Sequence, residues 1–330
     1  MTQTTSPRRL VGREVFPVGL GCMNLSHAYG VPPSRDEARA LLHAALDAGI
    51  THFDTAALYG FGRNEELVGD VLSPHRERFV LASKCGMTGV NGKRTIDGRP
   101  ETLKRTCKES LQRLRTDRID LYYLHRWDKS VPIEDSVGAL RDLVQDGVIG
   151  AIGLSEISAA TLRRAHAVHP IAAVQSEYSL WSRASQAVLD TCREIGATFV
   201  AFSPLGRGFL AGGVRDPGHL VEGDLRRGMP RFQAPNFARN LAVLEEFEAV
   251  AREAGCTPAQ LALAWLLQQA NVLPLFGTTS VEHLNENVAS VAVGVSPELL
   301  ARAEQLVSDA TIAGERYPAA TFAEIDTERG

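Results

Sequence analysis

Eight short apolar runs, separated by helical stretches, constrain this chain more than any other feature. They fall at Val18–Met23, Thr51–Asp54, Phe79–Lys84, Ile119–His125, Gly150–Ser155, Ala172–Glu177, Thr198–Ser203 and Val272–Phe276. Most are continuous rather than alternating, as strands covered on both faces must be. The helix signals between them are well punctuated. Ser34 and Glu37 make a capping box before a helix over Ala38–Ala48, which Gly49 ends. Ile133–Asp146 is amphipathic and stops at Gly147, Ser158 caps Ala159–Val168, and Thr257-Pro258 opens Ala259–Ala270. Strand-then-helix units in this number predict an α/β fold, one (β/α)8 TIM barrel occupying residues 1–330 with an outer ring of helices.

Both ends add to that rhythm. Arg9-Leu-Val-Gly12-Arg13-Glu-Val-Phe16 reads as an N-terminal β-hairpin able to plug the barrel's bottom, and Ser296-Pro297 caps an extra C-terminal helix. Two stretches break it. Gly206–Asn240 is rich in Gly, Pro and Arg without a sustained period, and Thr311–Gly330 is irregular. A loop as long as the first is functional or disordered. It follows the seventh strand, at the face where barrels hold ligands.

Bulk properties exclude several classes. With 35 basic and 39 acidic residues the chain has no basic excess for nucleic acid. No run of 18 apolar residues suggests a membrane span, and Met1–Arg9 lacks the apolar core of a signal peptide. Five unpaired-looking cysteines (22, 85, 107, 192 and 256) suit a reducing compartment, so the expected location is cytoplasmic. His166 and His169 stand three apart on a helix without partner ligands, and no metal site is expected.

The chemistry concentrates in Gly49-Ile-Thr-His-Phe-Asp54-Thr-Ala-Ala-Leu-Tyr59-Gly60. This strand delivers a carboxylate at its end and a phenol one loop later. A buried carboxylate is costly unless a cation meets it. The next two strands end in Lys84 and His125, and adjacent strands lie about 4.8 Å apart. Asp54 and Lys84 are therefore expected to pair, with Tyr59 folding back over them. A phenol ordinarily titrates near about 10, and a close ammonium should lower that value enough to make Tyr59 a general acid. His125 is expected to hold a carbonyl oxygen. His52, although on Asp54's strand, reads as structural, and Cys85 as packing.

Gly49 to Gly60, with Asn64-Glu65-Glu66-Leu67-Val68-Gly69, Ser110-Leu111-Gln-Arg-Leu114, Asp120-Leu121 and Ala151-Ile-Gly-Leu-Ser155, resembles the aldo-keto reductase family from about Arg9 to about Ala289. The resemblance implies the same barrel and hairpin, and the same roles for Asp54, Tyr59, Lys84 and His125. It implies a nicotinamide cofactor, because no side chain donates hydride. On that resemblance Ser155 and Gln175 hold the carboxamide and Phe202 stacks on the nicotinamide ring. Ser203, Leu205, Arg207 and Gly208 follow the pyrophosphate, while Thr278, Ser280, His283, Glu286 and Asn287 receive the adenosine end. Four positions depart from the family pattern. Glu156 stands where Asn is common, and Thr279, Ser280 and His283 stand where Lys or Arg is common. NADPH is the first expectation and NADH the competitor. Gly206-Arg-Gly208-Phe-Leu-Ala211 satisfies a loose dinucleotide fingerprint, but glycines and Pro217 break the helix that should follow it.

Met23, Asn24, Tyr29 and Trp127, with Phe61 and Trp181, are the candidate substrate contacts. They suggest an apolar or cyclic carbonyl compound, or the corresponding alcohol. The expected activity is reduction of aldehydes or ketones. Its rivals are an NAD-linked alcohol or sugar dehydrogenase, a non-catalytic nicotinamide-sensing regulatory subunit, and a Schiff-base lyase on the same barrel.

Overall fold

In the computed structural model, residues 8–90 and 93–327 are described. Most of the segment read above as lacking an apolar leader, and the last residues of Thr311–Gly330, lie outside them. The chain opens with β1 (Arg8–Leu10) and β2 (Arg13–Val15), an antiparallel pair turned at Val11 and Gly12, whose φ values are 47° and 79°. Glycine takes that left-handed backbone without the strain a side chain would add. Next come β3 (Gly19–Gly21), α1 (Arg35–Asp47), β4 (His52–Asp54), α2 (Arg63–Leu72) and β5 (Val80–Cys85). A second antiparallel pair, β6 (Met87–Val90) and β7 (Lys93–Ile96), precedes α3 (Pro100–Leu114). The alternation resumes with β8 (Ile119–Leu124), α4 (Ile133–Gln145), β9 (Ile149–Ser155), α5 (Ala159–Val168), β10 (Ile171–Glu177), α6 (Gln186–Ile195) and β11 (Thr198–Phe202). Two helices, α7 (Asn236–Glu253) and α8 (Pro258–Leu267), lead to β12 (Val272–Phe276), followed by α9 (Val281–Ala289), α10 (Pro297–Leu306) and α11 (Ala319–Glu324).

Strands β3, β4, β5, β8, β9, β10, β11 and β12 close a parallel barrel in that order, β12 pairing back to β3. The (β/α)8 expectation is met, and each of the eight apolar runs overlaps its strand, with β5, β9 and β10 extending one residue beyond the expected bounds. The hairpin also behaves as expected. Leu10 and Val15 are buried in one cluster with Val80, Leu121, Ala173, Val200 and Leu273, the inward residues near the strand starts, so the hairpin stops that end. Outward strand residues and the helices form the larger core around them. The predicted caps are present, with reciprocal boxes at Ser34/Glu37 and Thr257/Gln260.

Three differences have local causes. The β6–β7 pair was not anticipated, because its strands are too short and too polar to stand out. Gly206–Asn240 holds only short 3-10 turns, but its last five residues belong to α7. The final segment contains α11, whose six residues carry no readable period.

Close helix packing decides one position. A methyl at Gly69 in α2 would run into the backbone of Arg113 and Leu114 at the end of α3. Alanine gains up to about 1 kcal/mol in helix propensity, whereas overpacking costs about 1–3 kcal/mol. Gly69→Ala should therefore lower the urea midpoint despite its better propensity. A raised midpoint would show that the two helices can separate freely.

Candidate active site

The C-terminal ends of the barrel strands surround a cavity of about 540 Å³. Asp54, on the last residue of β4, is 1% exposed, and Lys84 on β5 is fully buried. The Lys84 ammonium donates to Asp54 Oδ1, to the Thr55 carbonyl oxygen at 2.9 Å and to the Tyr59 hydroxyl at 3.2 Å. Asp54 Oδ2 accepts from Gln175 Nε2 at 2.8 Å. Each charge thus has its counter-charge and hydrogen bonds, which is what burial requires.

The turn after β4 brings Tyr59 back over this pair. Gly60, Phe61 and Gly62 all adopt left-handed φ, reversing the chain before α2 begins. Asn64 fastens the turn. Its Nδ2 donates to the Cys22 carbonyl at 2.8 Å and Ser26 Oγ at 2.7 Å, and its Oδ1 accepts from Thr55 Oγ1 at 2.6 Å. Glu65 is buried and accepts from Ser83 Oγ and from Arg113 Nε at 2.7 Å, tying α2 to β5 and α3. The Asn64-Glu65 motif is thus scaffolding for the phenol.

The Tyr59 ring faces His125 edge-on at 5.8 Å between centroids, and His27 at 5.5 Å. Burial pushes the Tyr59 phenol above its ordinary value, and the Lys84 charge offsets this only in part. The expected lowering by Lys84 is present, but burial outweighs it and the Asp54 charge opposes it, so the net shift is upward. Tyr59 consequently holds its proton at neutral pH. His125 is depressed well below the usual imidazole range by burial and by the charges of Arg126, Lys84 and Arg94, so it is neutral.

Among the residues assigned to the cofactor, Ser155, Gln175, Phe202, Ser203, Leu205, Arg207 and Gly208 all line the cavity. Met23, Asn24 and Tyr29 line it too, from the loop after β3. Thr278, Ser280, His283, Glu286 and Asn287 lie beyond the cavity wall, which ends at Gly277. There Ser280 caps α9 by accepting from the His283 amide at 3.3 Å.

Three aromatic expectations fail. Trp127 turns away from the cavity, donating to the Val131 carbonyl at 2.9 Å with Arg164 over its ring. Trp181 is buried in a cluster with Phe209 and Phe232. Phe61 lies over Gly89 of β6. Sequence alternation does not register beyond a strand's end, so the directions of these loop side chains could not be read.

Other lining residues were not anticipated, notably His27, Arg94, Arg126 and Tyr317. Adjacency to His125 was the available signal for Arg126. Tyr317 had none. The chain's end runs across the barrel mouth and is held by buried charge. Glu156 accepts from Arg316 Nη2 at 2.8 Å, from Thr327 Oγ1 at 3.1 Å and from the Glu177 amide at 2.8 Å. Burial works to raise the Glu156 carboxyl, and Arg316 and Arg126 hold it below the ordinary range. Glu177 pairs with Arg207, whose other contacts are the hydroxyls of Tyr29 and Tyr317, both at 2.8 Å. Glu156, the departure noted above, therefore anchors the C-terminal segment.

A model of the aldo/keto reductase family matches residues 17–308. Among solved structures, a glycerol dehydrogenase from Gluconobacter oxydans is 30% identical, with a TM-score of 0.84 over 92% of this chain and 95% of that one. An aldo-keto reductase from Bacillus halodurans is 28% identical, with a TM-score of 0.76 over 95% and 100%. An aldo/keto reductase from Klebsiella pneumoniae, in complex with NADP and acetate, is 28% identical with a TM-score of 0.71 over 94% and 98%.

The buried pair beneath the C-terminal segment has a measurable weight. Removing one partner strands the other charge and costs about 3–5 kcal/mol. Arg316→Met should destabilise the protein by that order in chemical denaturation. The double change with Glu156→Gln should recover part of the loss, since no charge is then left unpaired. Equal loss in the single and double variants would contradict this account.

Proposed function

The chain belongs to the aldo-keto reductase family, a family of nicotinamide-dependent oxidoreductases, and on that premise we propose that it is an NADPH-preferring reductase of aldehydes or ketones in which Tyr59 is the general acid. The observation that carries this reading is the 3.2 Å contact between the Lys84 ammonium and the Tyr59 hydroxyl at the wall of an open cavity.

The lining chemistry suits the cofactor. Phe202 offers an aromatic face, Ser155 and Gln175 offer amide partners, and Ser203 to Gly208 form a loop with a guanidinium at Arg207. When bound, the cofactor supplies the hydride to the carbonyl carbon. The protein's own groups do the rest. His125, neutral and beside the phenol, orients the carbonyl oxygen through a ring N–H. Tyr59 gives its proton to that oxygen as negative charge builds there. Lys84 then stabilises the phenolate left behind, and Asp54 keeps Lys84 ionised and aimed. Arg207 meets a diphosphate only by sharing its guanidinium with Glu177.

The raised phenol fixes the pH signs. Tyr59 stays protonated and His125 neutral between about pH 6 and pH 9, so reduction should show no titration from either group across that range. Alcohol oxidation needs the phenolate and should climb with pH throughout it. Tyr59→Phe should lower kcat for reduction by about 10²–10⁴-fold while NADPH still binds, as read by fluorescence. Wild-type turnover in that variant would remove the proposed role.

One observation favours an NAD-linked alcohol dehydrogenase as second reading. No Lys or Arg stands at Thr279, Ser280 or His283, where a 2′-phosphate would lie, and the similar Gluconobacter oxydans protein is a glycerol dehydrogenase. Dissociation constants for both cofactors separate the two. NADPH should bind more tightly than NADH to the native protein, and Thr279→Lys or His283→Arg should widen the gap by up to about fivefold. Tighter NADH binding in the native protein would favour the second reading.

A further inference from the structure

The described residues place four arginines on the cavity wall: Arg94, Arg126, Arg207 and Arg226. Three of them already hold a carboxylate. Arg94 pairs with Glu324, Arg207 with Glu177, and Arg226 with Asp224. Arg126 has no carboxylate partner among the described residues. Its Nη1 donates to the His125 carbonyl oxygen at 2.7 Å and to Ser155 Oγ at 3.3 Å, both neutral acceptors. Glu156 feels its charge but is itself bound by Arg316. A half-buried guanidinium whose carboxylate is missing, facing a cavity, is poised for an anion from outside the protein.

Position says which anion. Arg126 directly follows His125, and His125 and Tyr59 frame the place where the carbonyl oxygen would sit. The diphosphate of a cofactor belongs with Ser203–Gly208, at the end of β11 rather than β8. Glu156, the buried carboxylate that feels the Arg126 charge, is itself held by Arg316. Among the described residues the one carboxylate lining the cavity, Asp54, is spent on Lys84 and Gln175. His27, lining the same wall, has a buried Nδ1 without a hydrogen-bond partner.

We propose that Arg126 is a specificity residue that binds an anionic group of the substrate, so that the preferred substrate is an aldehyde or ketone also carrying a carboxylate or phosphate. The proposal rests on the reductase reading above and narrows it to a substrate class. It replaces the apolar pocket expected from Trp127, which turns away.

Matched probes test it. With NADPH as reductant, kcat/KM is compared for benzaldehyde against 4-carboxybenzaldehyde, and for glyceraldehyde against glyceraldehyde 3-phosphate. The native protein should favour at least one charged member by about tenfold or more, the scale of one charge-assisted hydrogen bond. The pair showing the larger ratio tells carboxylate from phosphate. Arg126→Met should abolish that preference, mainly through KM, and Arg126→Lys should restore part of it. NADPH affinity, measured in the same variants, reports on folding and on the cofactor site. Equal losses on neutral and charged members in Arg126→Met would mean that Arg126 acts through His125, and would overturn the proposal. So would a loss of NADPH binding that accounts for the whole effect, or a native protein that favours the neutral members. Failure to reduce any of the four probes would instead count against the reductase reading itself.

Discussion

The Lys84–Asp54 ion pair, closed inside the barrel mouth, is the interaction on which the site depends. Neither charge could be buried alone, since desolvating a carboxylate or ammonium costs several kcal/mol. Adjacent parallel strands bring the two within reach, and backbone Thr55 and side-chain Gln175 take the remaining hydrogen-bonding capacity. Within the pair the Lys84 charge lowers the phenol's value and the Asp54 charge raises it, and neither overcomes burial. Tyr59 is left protonated by burial, with a cation ready to receive the phenolate. On the proposed function, such a site would hold its proton at rest and release it as an oxyanion develops beside it.

Around that pair, charge also organises the chain's far end. Glu156 directly follows β9 and Glu177 ends β10, and Arg316 and Arg207 reach them from the C-terminal segment and the long loop. The two arginines share neighbours, because Arg316 also approaches Glu177 at 3.8 Å and Tyr317 contacts Arg207. A residue that breaks a family's binding pattern has here been put to structural use. The same network leaves Arg126 as the cavity's one arginine without a carboxylate among the described residues.

Legibility differed by kind of residue. The eight strands were readable because most are continuous apolar runs between well-punctuated helices, and their closure follows from their number. The proposed catalytic quartet was readable because each member falls at a strand end or in the loop just beyond, where the residue number fixes its place on the barrel. Loop aromatics were not. Trp127 and Trp181 have the composition of a pocket wall, yet Trp127 bonds Val131 and Trp181 joins a phenylalanine cluster. The turn at Gly60–Gly62, not any period, sends Phe61 to Gly89.

Local pattern thus determined the barrel, its plug and its capped helices, since period, cap and strand end are properties of neighbours in the chain, and together with the family resemblance it singled out the four proposed reacting groups. Tertiary structure decided what those groups become. Whether a lysine acidifies a phenol depends on which carboxylate shares the lysine, and which arginine remains unpaired depends on where residues 316–327 settle. Both are sums over groups distant in sequence, and electrostatic energy in a buried site is set by such sums.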